Sequence, residues 1–166
     1  MLRTKIAFCI LLALLLSVPL AEASPAPSQS TWTGLYFNNP NLSGTPTLIR
    51  QDSQINFDWG TGSPDPSIPA DNFSVRWFAV INFTAGRYRF TVTVDDGVRL
   101  WVDNDLLIDS WKDQPVTTYT AEKDLSAGNH VLVLEYYEHT GFAVIRLSWE
   151  AVTAPAPGVW LGEYFN

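Results

Sequence analysis

Ser74-Val75-Arg76-Trp77-Phe78-Ala79-Val80-Ile81-Asn82-Phe83, followed after a short gap by Tyr88-Arg89-Phe90-Thr91-Val92-Thr93-Val94, decides the fold class. In the first stretch Val75, Trp77, Ala79, Ile81 and Phe83 share one parity, against Ser74, Arg76 and Asn82. In the second, Tyr88, Phe90, Val92 and Val94 alternate with Arg89, Thr91 and Thr93. Successive side chains of a strand point to opposite faces, so a period of two marks strands with an inner and an outer face. The pattern returns in Leu132, Leu134 and Tyr136, and in Ala143, Ile145, Leu147 and Trp149 against Arg146, Ser148 and Glu150. Ala85-Gly86, Asn104-Asp105 and Ala127-Gly128-Asn129 carry the turn chemistry of short hairpin connections. No window carries a helical period. The expectation is an all-β fold, an antiparallel β-sandwich or barrel. The long irregular stretch runs from Asp58 to Asp71, with three Pro and two Gly, and such a loop is either functional or disordered.

The flanks read differently. Arg3 and Lys5, an apolar run from Ile6 to Leu20 and the small residues of Ala21-Glu22-Ala23 are the pattern of a cleaved signal peptide over residues 1–23. A signal anchor is the competing reading, but the run is shorter than the ~20 residues of a membrane span. The mature chain, expected from Ser24, is therefore read as secreted or displayed at the cell surface, with no membrane span once the signal is cleaved. The single cysteine, Cys9, lies inside the signal segment, so the mature chain can form no disulfide. Residues 24–30 and 151–159 are Pro-rich linkers around a folded unit over 31–150. Beyond the second linker, Trp160-Leu161-Gly162-Glu163-Tyr164-Phe165-Asn166 repeats Trp32-Thr33-Gly34-Leu35-Tyr36-Phe37-Asn38 at five of seven positions. A spacing of 128 residues is a domain length, so the segment 160–166 is read as the start of a truncated second repeat, and adjacent copies are expected in the parent protein. A terminal strand that happens to match is the alternative.

Cleavage would remove Arg3, Lys5 and Glu22, leaving eight basic and sixteen acidic residues, and would move the formal charge from -7 to -8. An acidic domain with no basic patch repels phosphate, which excludes nucleic acid as a natural partner and favours a divalent cation. Catalysis has few candidates. His130 and His139 are the only histidines, no serine stands in a nucleophile-elbow pattern, and His130, at the start of a strand, is read as a surface residue. The expectation is a binding module rather than an enzyme.

The informative motif is Thr93-Val94-Asp95-Asp96-Gly97-Val98-Arg99-Leu100-Trp101-Val102-Asp103. In regular β geometry Asp95 and Asp96 would point to opposite faces. A turn, or a cis peptide between them, would bring both to one side, where Ca²⁺, which takes six to eight oxygens, could be held. Gly97 would let the chain turn back into the next strand. The plainer reading is a solvated Asp-Asp-Gly turn, and both stay open on the residues alone. Trp77 and Trp149 fall on core faces. Trp101 has the parity opposite to Leu100 and Val102, and Trp59 and Trp111 lie near loops, so these three are candidates for stacking on a sugar ring, with burial as the rival outcome.

Trp32 to Asn38, Ile55-Asn56-Phe57-Asp58-Trp59-Gly60 with Pro64-Asp65-Pro66, Phe73 to Trp77, Asp95 to Asp103, and Glu135-Tyr136-Tyr137-Glu138 followed by Arg146-Leu147-Ser148-Trp149 together resemble the PA14 family, in order and over nearly all of 31–150. The resemblance implies a β-sandwich of PA14 type. In lectin-like members of that family adjacent aspartates joined by a cis peptide bind Ca²⁺ and sugar hydroxyls complete the coordination. Carried over, Asp95 and Asp96 are the metal ligands. The later loop, Glu138-His139-Thr140-Gly141, lacks the Asn or Asp side chains those members supply, and the backbone carbonyls of His139 and Gly141 take their place as expected ligands. The expected ligand-binding surface is Asp95, Asp96, Trp59, Trp101, Trp111, Glu138, His139 and Thr140, and the expected ligand a glycan or polysaccharide. A structural or protein-interaction module without a ligand of its own is the alternative.

Overall fold

A computed structural model describes residues 31–153; the signal segment, the first linker, residues 154–159 of the second linker and the repeat at 160–166 lie outside the described residues. Ten strands follow one another: β1 (Trp32–Phe37), β2 (Leu48–Asp52), β3 (Asn56–Gly60), β4 (Phe73–Phe83), β5 (Gly86–Asp95), β6 (Gly97–Val102), β7 (Asp105–Ser110), β8 (Thr117–Leu125), β9 (Gly128–Glu138) and β10 (Ala143–Ala151). They form a six-stranded sheet in the order β2-β1-β4-β9-β6-β7 and a four-stranded sheet in the order β3-β10-β5-β8, with every pairing antiparallel. The fold is the expected all-β sandwich. No helix occurs among the described residues, so none there is long and apolar enough to cross a membrane.

The two-residue period is the cause of the layering. Val75, Trp77, Ala79, Ile81 and Phe83 of β4 are buried, as are Tyr88, Phe90, Val92 and Val94 of β5 and Leu132, Leu134 and Tyr136 of β9. These residues meet between the sheets, and each fully buried large apolar side chain contributes about 1.5–3 kcal/mol. Asp52 is buried among them without loss of partners: it accepts from Tyr36 Oη at 2.7 Å, Trp77 Nε1 at 2.8 Å and Arg50 Nε at 2.7 Å.

Three readings of the sequence need correction. His130 is buried, because its ring packs edge-on against Phe83, 5.8 Å between centroids, and its Nδ1 lies 2.8 Å from Asp103 Oδ2. Asp58 to Gly60 belong to β3 rather than to the loop, and the second linker begins one residue late, since Ala151 closes β10. Gly97 is required for close approach rather than for turning: a Cβ there would stand 1.9 Å from Tyr137 Cε1.

Candidate metal and ligand site

Asp95 is the last residue of β5, opposite Val144 in the four-stranded sheet, and Gly97 is the first of β6, opposite Tyr137 in the six-stranded sheet. Asp96 alone therefore makes the crossover from β5 in one layer to β6 in the other. The peptide bond between Asp95 and Asp96 is cis. Glu138, the last residue of β9, turns inward beside them, and the three carboxylates offer oxygens that all lie within 4.8 Å of one another.

The loops around this cluster are tied to it by backbone. Asp96 Oδ1 accepts the amide of Gln114 at 3.0 Å and its Oδ2 accepts the amide of His139 at 2.9 Å, while Gln114 Nε2 donates to the carbonyl of Asp96 at 2.7 Å. Across the opening, the amide of Asn72 donates to the carbonyl of His139 at 3.0 Å and the amide of Gly141 to Asp71 Oδ1 at 3.1 Å. Three segments, the end of the 61–72 loop, residues 113–116 and the 139–142 loop, thus converge on one end of the sandwich.

Its charge is poorly compensated. Glu138 is fully buried, its Oε1 has no hydrogen-bond partner, and the nearest donor to Oε2 is the Tyr136 hydroxyl at 3.1 Å. That hydroxyl also lies 2.8 Å from the carbonyl of Asp95. Burial, with the Asp96 charge adding to it, pushes the Glu138 carboxyl up to about 8. Burial and the Asp96 charge raise Asp95 as well, against an opposing hydrogen bond from the Val116 backbone. The phenol of Tyr136 is held protonated for the same reason, first by burial and then by Glu138, so it serves the site as a donor. Three clustered oxygen donors and an orphaned buried carboxylate oxygen are a donor set suited to a hard cation such as Ca²⁺, and poorly suited to a soft one.

The expected site residues divide. Asp95, Asp96, Glu138 and His139 come together, with exposed Thr140 and Gly141 in the adjoining loop. His139, however, turns its amide to Asp96, and its carbonyl receives Asn72; its imidazole points away, to Asp113 Oδ2 at 2.8 Å. Trp111 joins the rim through Tyr137, ring centroids 4.8 Å apart, and Tyr137 Oη donates to Asp113 Oδ1 at 2.7 Å. Trp59 is packed behind the site, stacked on Phe57 at 4.8 Å and near Tyr136 at 6.2 Å. Trp101 is not brought to the cluster: it lies on the outer face of the six-stranded sheet, paired with Val133 and Leu106. Gln114 and Phe142, 62% exposed beside Gly141, were not singled out by sequence reading, while Asp71 was noted only as the end of the irregular 58–71 stretch and Tyr136 as an inward residue of its strand rather than of the site. For Gln114 the signal was Gln114-Pro115, a break between strands.

A two-layer antiparallel sandwich whose sheets are joined by an acidic crossover defines a β-sandwich module with its candidate site at one end. The chain belongs to the PA14 domain family, whose model matches residues 28–159. It is 42% identical over 120 residues to the anti-sigma-I factor RsgI3 of Acetivibrio thermocellus, a match covering 71% of this chain and 18% of that protein. A solved anti-sigma factor domain-containing protein from Clostridium clariflavum is 36% identical with a TM-score of 0.69, over 78% of this chain and 44% of that one. The PA14 sugar-binding domain from an RTX adhesin shares the fold at 19% identity and a TM-score of 0.58, over 73% of this chain and 89% of that one. The chain thus spans under half the length of these anti-sigma factor relatives.

Proposed function

We propose that the domain is a Ca²⁺-assisted carbohydrate-binding module of an exported, cell-surface or secreted protein, without catalytic activity of its own. The observation that carries this reading is the orphaned Oε1 of fully buried Glu138, set against Asp95 and Asp96 within 4.8 Å. Three carboxylates in that space repel one another, and a divalent cation would turn the repulsion into attraction. Asp95, Asp96 and Glu138 would be its side-chain ligands. The carbonyl of Gly141 and sugar hydroxyls are the natural remaining donors on the open side, with Thr140, Phe142 and Trp111 forming the rim that a glycan or polysaccharide would touch. A relative of the same fold is described as sugar-binding, which agrees with this reading. A shallow site of this kind suits a chain with adjacent copies, because linked weak sites gain avidity.

Thermal unfolding with Ca²⁺ and with chelator tests the metal. A ligand binding only the folded state at about 100 times its Kd adds ~2.7 kcal/mol. Ca²⁺ should raise the midpoint of the parent and not of Asp95→Asn with Asp96→Asn. Retention of a polysaccharide panel by the parent, lost in chelator, tests the sugar. Unchanged midpoints would remove the metal, and no retention of any polysaccharide would leave the interaction-module alternative, which the outer face of the larger sheet favours in its own right.

A further inference from the structure

The two sheets turn different outer faces to solvent. On the four-stranded sheet Arg87 and Arg89 bridge to Glu122, Arg146 bridges to Asp58, and Thr93 bonds Thr118. On the six-stranded sheet the register lines up Phe78, Val133, Trp101 and Leu106 across β4, β9, β6 and β7, with Val80 opposite Val131 in the next row. Phe78 is 40% exposed, Val80 51%, Val131 46% and Leu106 46%. A shallow depression of about 310 Å³, lined by Trp101, Val133, Asp103, Asn104 and Glu135, opens beside these rows and sets charged groups against the apolar ones. Contiguous apolar surface of this kind on a soluble domain marks an interaction site.

We propose that this patch packs against the same patch of a second copy of the domain. Charge selects the occupant. The chain carries a formal -7, so two copies repel at long range, least so across rows without charged side chains, and the exposed apolar rows are uncharged. Position selects it too. Val152 donates its amide to the carbonyl of Arg87 at 2.8 Å, so β10 leaves the sandwich at the end where β5 begins and where Phe83 pairs with Gly128. The Val80 and Val131 pair lies three residue pairs from there, or about 10 Å. Residues 160–166 match Trp32 to Asn38 at five of seven positions, and as the opening of another copy they would begin seven residues after Thr153, the last described residue. Seven extended residues reach about 25 Å, enough to pass a sandwich whose layers stand about 10 Å apart. Six residues are far fewer than the ~20–30 a side of a stable interface, so the contact is weak between free chains and is populated when copies are linked at millimolar effective concentration.

The test is a concentration series of the chain from Ser24, up to about 1 mM, followed by amide NMR shifts and sedimentation. Expected are shifts that grow with concentration, centre on residues 78–80, 101 and 131–133, strengthen with added salt, vanish in Val80→Lys with Val131→Lys, and persist in Ile49→Lys at the far edge of the same sheet. Thermal unfolding verifies that each variant folds. Concentration-independent shifts, or association that survives the double variant, would overturn the proposal. So would association lost only when residues 160–166 are removed, which would assign it to strand exchange. Movement of the same amides by a polysaccharide and not by a second copy would make the patch a sugar platform instead, and would equally overturn it.

Discussion

Glu135 and Glu138 stand three residues apart on β9, both buried, in opposite electrostatic conditions. Glu135 faces outward between two guanidinium groups: Arg76 Nη2 lies 2.5 Å from its Oε1, and Arg99 Nη2, 2.6 Å from its Oε2, pairs with it by charge though not in hydrogen-bond geometry. Arg99 is fixed in turn over the Trp111 ring at 4.0 Å. Glu138 faces inward, toward two further carboxylates, with one phenol as its donor. A buried charge is tolerated where partners offset its desolvation, and the first site is closed in that sense while the second is open. The difference separates a carboxylate that holds the fold from one that waits for a ligand.

The largest effect should come from opening the closed site. Glu135→Ala strips both arginines of their partner and should cost about 3 kcal/mol in urea unfolding, with the Ca²⁺ response intact. A cost under about 0.5 kcal/mol would mean that solvent compensates Arg76 and Arg99, and the contrast would fail on its first side. Next is Gly97→Ala, between the two environments. Its Cβ would collide with Tyr137, whose ring covers that strand, and overpacking of this kind costs about 1–3 kcal/mol. Because the displaced ring also carries the hydrogen bond to Asp113, this variant should lower the Ca²⁺ response as well as stability.

Glu138→Gln reverses the sign. Removing one of three crowded charges should stabilise the domain in chelator by about 1 kcal/mol at pH 8.5, while abolishing any gain from Ca²⁺. A variant less stable than the parent in chelator would show that Glu138 is already compensated, and the comparison would collapse.

The fold was legible because the core strands alternate cleanly, and the Asp95-Asp96-Gly97 motif was legible because adjacent carboxylates are costly to place. What stayed hidden has two causes. Phe78 and Val80 share β4 with the core residues, and a period-two reading that followed Val75, Trp77 and Ile81 passed over the apolar residues on the other face. Glu138, by contrast, reads from sequence as part of the loop after the strand, whereas it is the last residue of β9 and shares the inward parity of Leu132, Leu134 and Tyr136; what that parity does not tell is that it has no partner there. Its lack of a partner depends on β6, β9 and the 113–116 loop meeting, and such meetings are set by packing across the chain rather than by local pattern. Trp101 illustrates the converse: its parity correctly put it on the outer face, and that face proved to be away from the acidic end.

Asp103 supplies an intermediate case, a carboxylate whose partner titrates. Its Oδ2 lies 2.8 Å from His130 Nδ1, its Oδ1 accepts the amide of Val131 at 3.0 Å, and His130 Nε2 lies 3.1 Å from the carbonyl of Ser126. Acceptors on both ring nitrogens favour the imidazolium. The bond to Asp103 raises His130 above its ordinary range and holds Asp103 below the usual carboxylate range. The sign follows from the direction of each shift. The His130 contribution is fully present below pH ~6.5 and is lost as pH rises through the raised value; that of Asp103 is lost only as strong acid protonates it. His130→Gln should therefore destabilise the domain more at pH 6 than at pH 9, by a difference under about 1 kcal/mol because Asp103 is partly exposed. Urea unfolding of parent and variant at the two values measures it. An equal loss at both would mean that the imidazole acts through its packing on Phe83 alone, and Asp103 would then belong with the carboxylates whose compensation is independent of pH.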